Sequence, residues 1–328
     1  MKRELTLRCF CSAKGGVGKS TLAVASATLA QRRGQCVLVD ADLTGTSLAD
    51  GLSLCAPRVA LSDGGTMDLV APATGEYLTL EETRKYRTLR RQSKRREHSD
   101  DPVPPPPYLN DALAFRGADN TKDCSMAAML WRAETGGEVG YLPSSSLDND
   151  IDLALGWLYQ EPHQDWVRRL AWLLFMTAEQ IPELSDIVID LPPGLFAFSH
   201  ATLALLAEIA NRTELPDGYP DFKQVAVWNV RPYLVTSQDR NDLVVAMESY
   251  ARLVTRLSRL RPLVNRLTES IESVKESITR HFGGIRVGDR LVPVGSHPKT
   301  MGRVFLDGSL SMAAGEENEL LLALDMEP

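Results

Sequence analysis

The first forty residues predict a strand, a helix and a second strand. Leu5, Leu7, Cys9 and Cys11 alternate along the chain, and this period of two is typical of a strand. The alanine-rich stretch STLAVASATLAQRRG follows and predicts a helix that ends at Gly34. The continuous apolar run CVLVDAD is typical of a buried parallel strand whose carboxyl end carries acidic residues. Together these elements predict a βαβ unit.

The same alternation of strands and helices continues along the chain. Further strands are predicted in EVGYLPSSS, DIVIDLPPG, VAVWNV, PYLVTS, RPLVNRLTES and RLVPVG, and amphipathic stretches separate most of them. One of these stretches, DIDLALGWLYQEPHQDWVRRLAWLLFMTAEQ, predicts helices interrupted at Pro162. The pattern predicts an α/β protein with a doubly wound, mainly parallel sheet and helices on both faces. We expect residues 1–328 to form a single domain.

Residues 72–108 depart from this pattern and are interpreted as an insertion. Thr79 and Glu82 have the spacing of a capping box, which predicts the start of a helix. Eight lysines and arginines lie between Arg84 and Arg96, followed by an acidic pair and a run of prolines. This composition predicts a solvated helix and an extended polyproline spacer.

The composition favours an ordinary cytoplasmic protein. Hydrophobic residues make up 44% of the chain, charged residues 24%, and the net charge is −7, which argues against whole-surface affinity for nucleic acid. The sequence shows no signal peptide, transmembrane helix or C-x-x-C pair. The five cysteines are therefore expected to be reduced, and mostly buried: Cys9, Cys11, Cys36, Cys55 and Cys124.

The stretch CSAKGGVGKST predicts a phosphate-binding loop between the first strand and helix. Glycines let the backbone approach phosphate oxygens, and the helix N-terminus attracts their charge. In this pattern Lys19 reaches the β- and γ-phosphates, the Ser20 hydroxyl binds Mg²⁺, and Thr21 is placed near the α-phosphate. The opening glycine of the usual loop is replaced by Ala13, and Lys14 follows it. The residues that we expect to contact the nucleotide are Gly15, Gly16, Val17, Gly18, Lys19, Ser20 and Thr21.

Acidic residues at two strand ends complete the predicted site. Asp40 and Asp42 follow the second strand, and Asp190 closes the strand of DIVID. The carboxyl ends of parallel strands meet at one edge of a sheet, and carboxylates there can hold Mg²⁺ and orient water. We expect Asp40 and Asp190 to serve the metal, with Asp190 acting through water. Asp42 is expected to orient the attacking water.

Three segments resemble the MinD/ParA group of P-loop ATPases, which has a deviant Walker A loop. KGGVGKST resembles that loop, VLVDADLTGTSLAD resembles switch I, and DIVIDLPPGL resembles switch II. YLPSSSLDNDI resembles the group's strand and turn between the two switches, PLVNRL resembles its late strand, and LVPVGSHPKT resembles the loop after that strand. The resemblance implies a P-loop NTPase fold, ATP and Mg²⁺ as ligands, and Asn265 as an adenine contact. It leaves out residues 72–108 and 212–224.

The resemblance also implies a role for the extra lysine. In this group the lysine at the position of Lys14 reaches across an ATP-sandwich homodimer to the phosphates of the other subunit. A cation supplied in this way stabilises charge on the transferring phosphoryl group. We therefore expect Lys14, Lys19 and Asp42 to be catalytic, and hydrolysis to be slow and stimulated by an unidentified protein partner. A surface lysine without such a role is the alternative for Lys14, and a turn-forming asparagine is the alternative for Asn265.

The chain departs from several subfamilies of the group. The absence of a C-x-x-C pair disfavours iron–sulfur cluster carriage. The acidic terminal stretch AAGEENELLLALDMEP disfavours a C-terminal membrane helix of the MinD kind. The basic run Arg84–Arg96 could provide non-specific DNA contacts, or it could be a solvated face balanced by nearby acids.

Three functions remain open from the sequence. The first is a ParA/MinD-like ATPase that dimerises on ATP and switches a partner or positions a cargo. The second is an enzyme of another class on the same fold, a small-molecule phosphotransferase or a metal-centre loading ATPase. The third is an interaction module that binds nucleotide without hydrolysing it. Lys14 favours the first, because a lysine that acts in trans has little use in a monomeric kinase.

Overall fold

A computed structural model describes twelve stretches of the chain. They are residues 2–43, 45, 48–61, 69–70, 77–94, 107–115, 125–134, 136–160, 163–265, 292–293, 321 and 324. Cys124, most of the proline run, the predicted helix SIESVKESITRHF and most of the acidic terminal stretch lie outside them.

Among the described residues, seven strands form the main sheet, and the strand pairs within it are parallel. Their order across the sheet is β12-β11-β10-β1-β9-β2-β8. The strands are β1 (Glu4–Ser12), β2 (Gln35–Asp40), β8 (Val139–Leu142), β9 (Leu184–Asp190), β10 (Val227–Ser237), β11 (Arg261–Asn265) and β12 (Val292–Pro293). The doubly wound parallel sheet predicted from the sequence is confirmed.

Helices cover both faces of this sheet. They are α1 (Lys19–Ala30), α2 (Leu48–Leu52), α3 (Leu80–Lys94), α4 (Met126–Met129), α5 (Asp148–Gln160), α6 (His163–Gln180), α7 (Ala197–Asn211) and α8 (Arg240–Leu253). Residues Asp111–Phe115 form a π-helical turn. Helices α6, α7 and α8 contribute to the core on one face, and α1 contributes to the core on the other, together with Leu321 and Leu324. Helix α5 ends at Gln160 and α6 begins at His163; Pro162, where the break was predicted, lies outside the described residues.

Short antiparallel strands lie beside the main sheet. Strand β3 (Leu54–Pro57) pairs with β6 (Tyr77–Leu78) and with β7 (Arg132–Ala133). Strand β4 (Ala60–Leu61) pairs with β5 (Leu69–Val70). The sequence pattern did not predict these additions, because two-residue and four-residue pairings carry too few positions to show a period.

The two apolar runs VAVWNV and PYLVTS form a single strand, β10. Proline lacks the N–H that a ladder needs, so Pro232 indicates a break when only the sequence is read. In the structure, β10 pairs with β1 from Val227 to Val235, whereas its pairing with β11 begins at Tyr233. From Tyr233 onward, β10 pairs with a strand on each side. Pro232 precedes this stretch, so the strand continues through Pro232.

Helix α3 begins where the capping box predicts, but it is not a solvated helix. The Thr79 backbone N–H donates to Glu82 at 2.8 Å, and the Glu82 N–H donates to the Thr79 hydroxyl at 3.3 Å, which confirms the capping box. However, Thr83 and Arg87 are buried. Their burial shows that one face of α3 packs against the protein and only the opposite face is left for solvent.

Tryptophan and cysteine side chains contribute to the core. Trp131, Trp157 and Trp166 are buried. Cys9, Cys11 and Cys36 are buried free thiols, and Cys55 is half-buried. Among the helices that the structure describes, none has both the length and the apolar character needed to cross a bilayer.

Candidate functional site

The loop between β1 and α1 has the backbone of an anion-binding cradle. Gly16 and Gly18 adopt left-handed φ angles of 77° and 85°, which side chains with a Cβ rarely adopt. Gly18 is the N-cap of α1, and no side chain caps the helix there. The N–H groups of the first turn are consequently left without an intrahelical acceptor, as an anion site at a helix N-terminus requires.

Lys19 lies within this cradle and is nearly buried. It is the first residue of α1, with a side chain that is 7% exposed, and its ammonium group pairs with the carboxylate of Asp190. The Lys19 Nζ is also 3.4 Å from the Ser20 hydroxyl. Ser20 and Thr21 are half-buried on the first turn of α1. The structure thus groups Lys19, Ser20 and Asp190, three of the residues predicted from the sequence.

Asp40 and Asp190 lie side by side because of the sheet register. Asp40 of β2 is the register partner of Asp190 of β9, and both are 1% exposed. Asp40 Oδ2 accepts hydrogen bonds from the Ser144 hydroxyl at 2.8 Å and from the Leu48 backbone N–H at 2.9 Å. Burial, and then the nearby charge of Asp190, raise the pKa of Asp40 to about 7. The arrangement favours a cation that would compensate these two carboxylates.

Asp42 is half-buried just after β2, and its position depends on a glycine. The Asp42 backbone N–H lies 3.4 Å from Asp40 Oδ1. A Cβ added to Gly45 would collide with the Asp42 carboxylate. Gly45 therefore leaves the space that the Asp42 side chain occupies. No role was predicted for Gly45, although its place three residues after Asp42 in DADLTG was a signal that could have been used.

Lys14 has a different environment from Lys19. Its side chain is 44% exposed, and its Nζ pairs with Asp242 Oδ1 at 2.8 Å. Asp242 lies in the first turn of α8, and its other oxygen accepts a hydrogen bond from the Ser237 hydroxyl at 2.6 Å. Hydrogen bonds from Lys14 and then from Ser237 lower the pKa of Asp242. Asp242 was not predicted from the sequence, because it lies 228 residues from Lys14.

Asn265 contacts the loop from the end of β11. Its side-chain N–H donates to the carbonyl oxygen of Val17 at 2.9 Å, and both residues are buried. The bond fixes the loop backbone just before Gly18. The contact between Asn265 and adenine that the resemblance implies stays a prediction.

The residues brought together suit a nucleotide with a divalent cation. Two buried carboxylates and a hydroxyl are hard oxygen ligands of the kind that Mg²⁺ prefers. The glycine loop and Lys19 provide the N–H groups and the positive charge that phosphates need. Asp40, Asp190 and Ser20 would therefore hold the metal, and the loop would hold the phosphates. Ser144, which follows β8 closely and bonds Asp40, was not predicted from the sequence either.

The sheet and the loop have the arrangement of the P-loop NTPase fold, and comparisons with known proteins agree with this fold. Residues 6–78 match the family profile described as ParA: NUBPL iron-transfer P-loop NTPase. A search of curated proteins gives no match. The structure is similar to a proposed plasmid partition protein from Borrelia burgdorferi B31 bound to AMPPNP, with 12% identity, coverage of 99% of this chain and 98% of that chain, and a TM-score of 0.55.

Two further structures show the same fold. MinD from Pyrococcus horikoshii OT3 with Mg-ADP is 17% identical, with coverage of 97% of this chain and 94% of that chain and a TM-score of 0.52. Apo McdA from Cyanothece is 14% identical, with coverage of 98% of this chain and 100% of that chain and a TM-score of 0.54. The profile over residues 6–78 agrees with the resemblance to the MinD/ParA group that the short motifs indicated, and the three structures confirm the fold.

Proposed function

We propose that the chain is a ParA/MinD-like ATPase that dimerises on ATP and switches a partner or positions a cargo. The observation that carries this proposal is the contrast between the two lysines of one loop. Lys19 is nearly buried and paired with Asp190, whereas the Lys14 side chain is 44% exposed and paired with Asp242. Lys19 serves the phosphates of its own chain, and Lys14 serves those of a second chain.

Hydrolysis then proceeds by positioning and charge compensation. The loop N–H groups and Lys19 bind the phosphates, and Asp40, Asp190 and Ser20 hold the metal. The bound Mg²⁺ supplies charge neutralisation on the phosphate oxygens. Asp42 orients the attacking water, and Lys14 of the partner subunit stabilises the charge that develops on the transferred phosphoryl group. Hydrolysis removes the γ-phosphate that Lys14 binds, and the dimer dissociates.

Both lysines must exchange partners in this cycle. In the structure each lysine is neutralised by a carboxylate of its own chain, Lys19 by Asp190 and Lys14 by Asp242. Phosphate oxygens replace Asp190 at Lys19 when the nucleotide binds, and Asp190 becomes available to the metal. Dimerisation replaces Asp242 at Lys14. The monomer is therefore a state in which both cations are already satisfied.

The partner is expected to be a protein, and DNA is not part of the proposal. Two of the eight cations in the run Arg84–Arg96 are engaged within the chain: Arg84 pairs with Asp50, and Arg87 pairs with Asp111 and Asp150. The run can therefore make fewer contacts with DNA phosphates than its eight cations alone would indicate. A cytoplasmic location remains our expectation.

The metal-loading alternative has less support than the ATPase cycle. The family profile is described by iron transfer, but it matches only residues 6–78, which hold the phosphate loop. Cys9, Cys11 and Cys36 are buried, and burial raises the pKa of Cys11 and of Cys36 to about 12. Thiols that stay protonated at neutral pH are poor metal ligands.

The proposal is tested with Lys14→Ala and Asp42→Ala variants. Size-exclusion chromatography with ATP and Mg²⁺ reports dimerisation, and phosphate release reports hydrolysis. We expect the wild type to dimerise with ATP and not with ADP, and both variants to lose about 100-fold or more in hydrolysis, as when one transition-state donor is removed. The Asp42→Ala variant should accumulate as an ATP-bound dimer.

Other outcomes separate the alternatives. A wild type that neither dimerises with ATP nor hydrolyses it would refute the ATPase cycle. Dimerisation without any phosphate release would favour the interaction module. Rapid turnover by a monomer that is insensitive to Lys14→Ala would favour a phosphotransferase.

A further inference from the structure

A continuous chain of polar contacts joins helix α3 of the insertion to the carboxylate of Asp40. It begins at Arg87, the residue of the basic run that is most completely buried among those whose side chains the structure describes. It passes through Asp150 and Ser145, continues along the backbone to Ser144, and ends at Asp40. Each link is a direct contact between named atoms.

Arg87 uses its whole guanidinium fork in this network. Its Nη1 and Nη2 donate to the two oxygens of Asp111 at 2.8 Å each, and its Nε donates to Asp150 Oδ2 at 2.6 Å. The guanidinium also lies 4.9 Å from the ring centroid of Tyr108. The pKa of Arg87 is raised by the charge of Asp111, despite its burial, so the cation is permanent. A bidentate pair of this kind fixes orientation as well as charge.

Asp150 links Arg87 to the segment that follows β8. Asp150 is fully buried, and its Oδ2 also accepts a hydrogen bond from the Ser145 hydroxyl at 2.7 Å. The Ser145 backbone N–H donates to Asn110 Oδ1 at 2.8 Å. Ser145 is thereby held at both its side chain and its backbone.

Ser144 points from the same segment to the nucleotide site. Its hydroxyl donates to Asp40 Oδ2 at 2.8 Å, and its backbone N–H lies 3.4 Å from the same oxygen. Ser144 and Ser145 are adjacent, so a shift of Ser145 moves the donors that face Asp40. A second tie lies just before the π-helical turn, where the Leu109 N–H donates to the Pro143 carbonyl at 2.8 Å.

We propose that Arg87 is a positioning residue of the nucleotide site, which fixes Ser144 and thereby the Asp40 carboxylate. The inference rests on the proposed function, because it assumes that Asp40 serves a metal bound with nucleotide. It gives helix α3 a task that its basic composition does not indicate. A part of the insertion is then a support for the site, and a partner that displaced α3 would weaken the hold on the metal.

The effect is measured as the gain in ADP affinity on adding Mg²⁺. ADP is titrated into the full chain in EDTA and again in MgCl₂, for the wild type and for Arg87→Met. We expect the variant to keep its ADP affinity in EDTA. Its gain in ADP affinity on adding Mg²⁺ should be about tenfold smaller than that of the wild type, the typical effect of one misplaced charged hydrogen bond. Arg87→Lys keeps the positive charge but lacks the planar guanidinium group, so it should recover only part of the Mg²⁺-dependent gain.

Arg169→Met is the matched control. Arg169 of α6 is also buried, lies over the ring of Trp157 and donates to the Leu113 carbonyl at 2.6 Å, within the π-helical turn. Its loss should reduce stability to a similar extent and leave the Mg²⁺-dependent gain at the wild-type value. Asp40→Asn combined with Arg87→Met should lose no more of the gain than Asp40→Asn alone.

Several outcomes would overturn the inference. An Arg87→Met variant with the full Mg²⁺-dependent gain would do so, and so would an equal loss in EDTA and in MgCl₂. If Arg87→Met does not fold, Ser145→Ala removes one link and leaves the ion pairs of Arg87 in place. The same two results in Ser145→Ala would then overturn the inference. A wild type that binds no ADP refutes the proposed function itself. A wild type with a normal gain that Arg87 does not influence refutes this inference alone.

Discussion

At the residue scale, the site is built from charges that are held out of water. Asp40 and Asp190 are both 1% exposed, and Lys19 compensates Asp190. Within the part of the chain that the structure describes, Asp40 accepts hydrogen bonds and forms no ion pair. Burial therefore raises the pKa of Asp40 to about 7, and the charge of Asp190 adds to the shift. Asp40 is a group whose protonation is linked to folding.

We predict that Asp40 makes the metal-free protein less stable as pH rises from about 4 to about 7. The pKa of an aspartate in water is 3.8, whereas that of Asp40 in the folded chain is about 7, so the folded state binds a proton in this window that the unfolded state releases. The contribution to the free energy of unfolding falls by at most about 1.4 kcal/mol per pH unit. Urea unfolding in EDTA between pH 5 and pH 7 measures it.

Asp40→Asn provides the comparison. The amide does not titrate, so the variant should lack this part of the pH dependence. Its free energy of unfolding should therefore increase relative to that of the wild type as pH rises. Identical slopes for the two proteins would show that Asp40 does not titrate in this window.

A second prediction at this scale concerns the pair between Lys14 and Asp242. Asp242→Asn removes the charge that holds Lys14 in the monomer. Because the pair is half-exposed, we expect the variant to form the ATP dimer at a protein concentration about twofold to fivefold lower. Analytical ultracentrifugation with ATP and Mg²⁺ measures the shift. Glu248→Gln, on the same helix and exposed, is the control; a shift of equal size in that variant would contradict the prediction.

At the element scale, helix α8 connects its own capping to the placement of Lys14. Asp239 is the N-cap, and its side chain accepts from the backbone N–H groups of Asn241 at 2.9 Å and Asp242 at 3.3 Å. The first turn carries Asp242, the partner of Lys14. A cap that fixes this turn therefore also fixes the acceptor of the exposed lysine.

We predict that Asp239→Ala lowers the free energy of unfolding by about 1 kcal/mol, because two helix N–H groups lose their acceptor. Asp239→Asn keeps an oxygen acceptor and should stay within a few tenths of a kcal/mol of the wild type. Denaturant unfolding compares the three proteins. Equal losses for the alanine and asparagine variants would mean that charge, and not the cap, is responsible.

At the scale of the whole molecule, the proposed cycle needs two chains for each reaction. Lys14 of one chain and Asp42 of the other act on the same nucleotide. A chain that lacks Lys14 still provides a complete site for a partner's lysine. A chain that lacks Asp42 still provides the lysine.

We predict that mixing inactive Lys14→Ala and Asp42→Ala chains restores hydrolysis. With random pairing, half of the dimers are mixed and one of their two sites is intact, so about a quarter of the wild-type rate should return. Phosphate release from an equimolar mixture, compared with each variant alone, measures it. A mixture that stays as inactive as its components would show that Lys14 acts within its own chain.

Much of the fold could be predicted because its signals are local. A period of two in β1, the alanine-rich α1 and the apolar runs ending in Asp40 and Asp190 each depend on neighbouring residues. That VAVWNV and PYLVTS join into one strand was not predicted, because this depends on where β11 begins to pair. The solvated character of α3 was wrong because burial of Arg87 depends on acids far along the chain.

The sequence by itself determined the class of the protein and its phosphate loop. Glycine spacing, Lys19 and the acids at the strand ends act through backbone conformation and side-chain chemistry, which local sequence encodes. Only the tertiary structure decided that Asp40 meets Ser144, that Lys14 meets Asp242, and that Arg87 meets Asp150. These contacts join residues from 63 to 228 positions apart, and chain folding, not local pattern, brings such residues together.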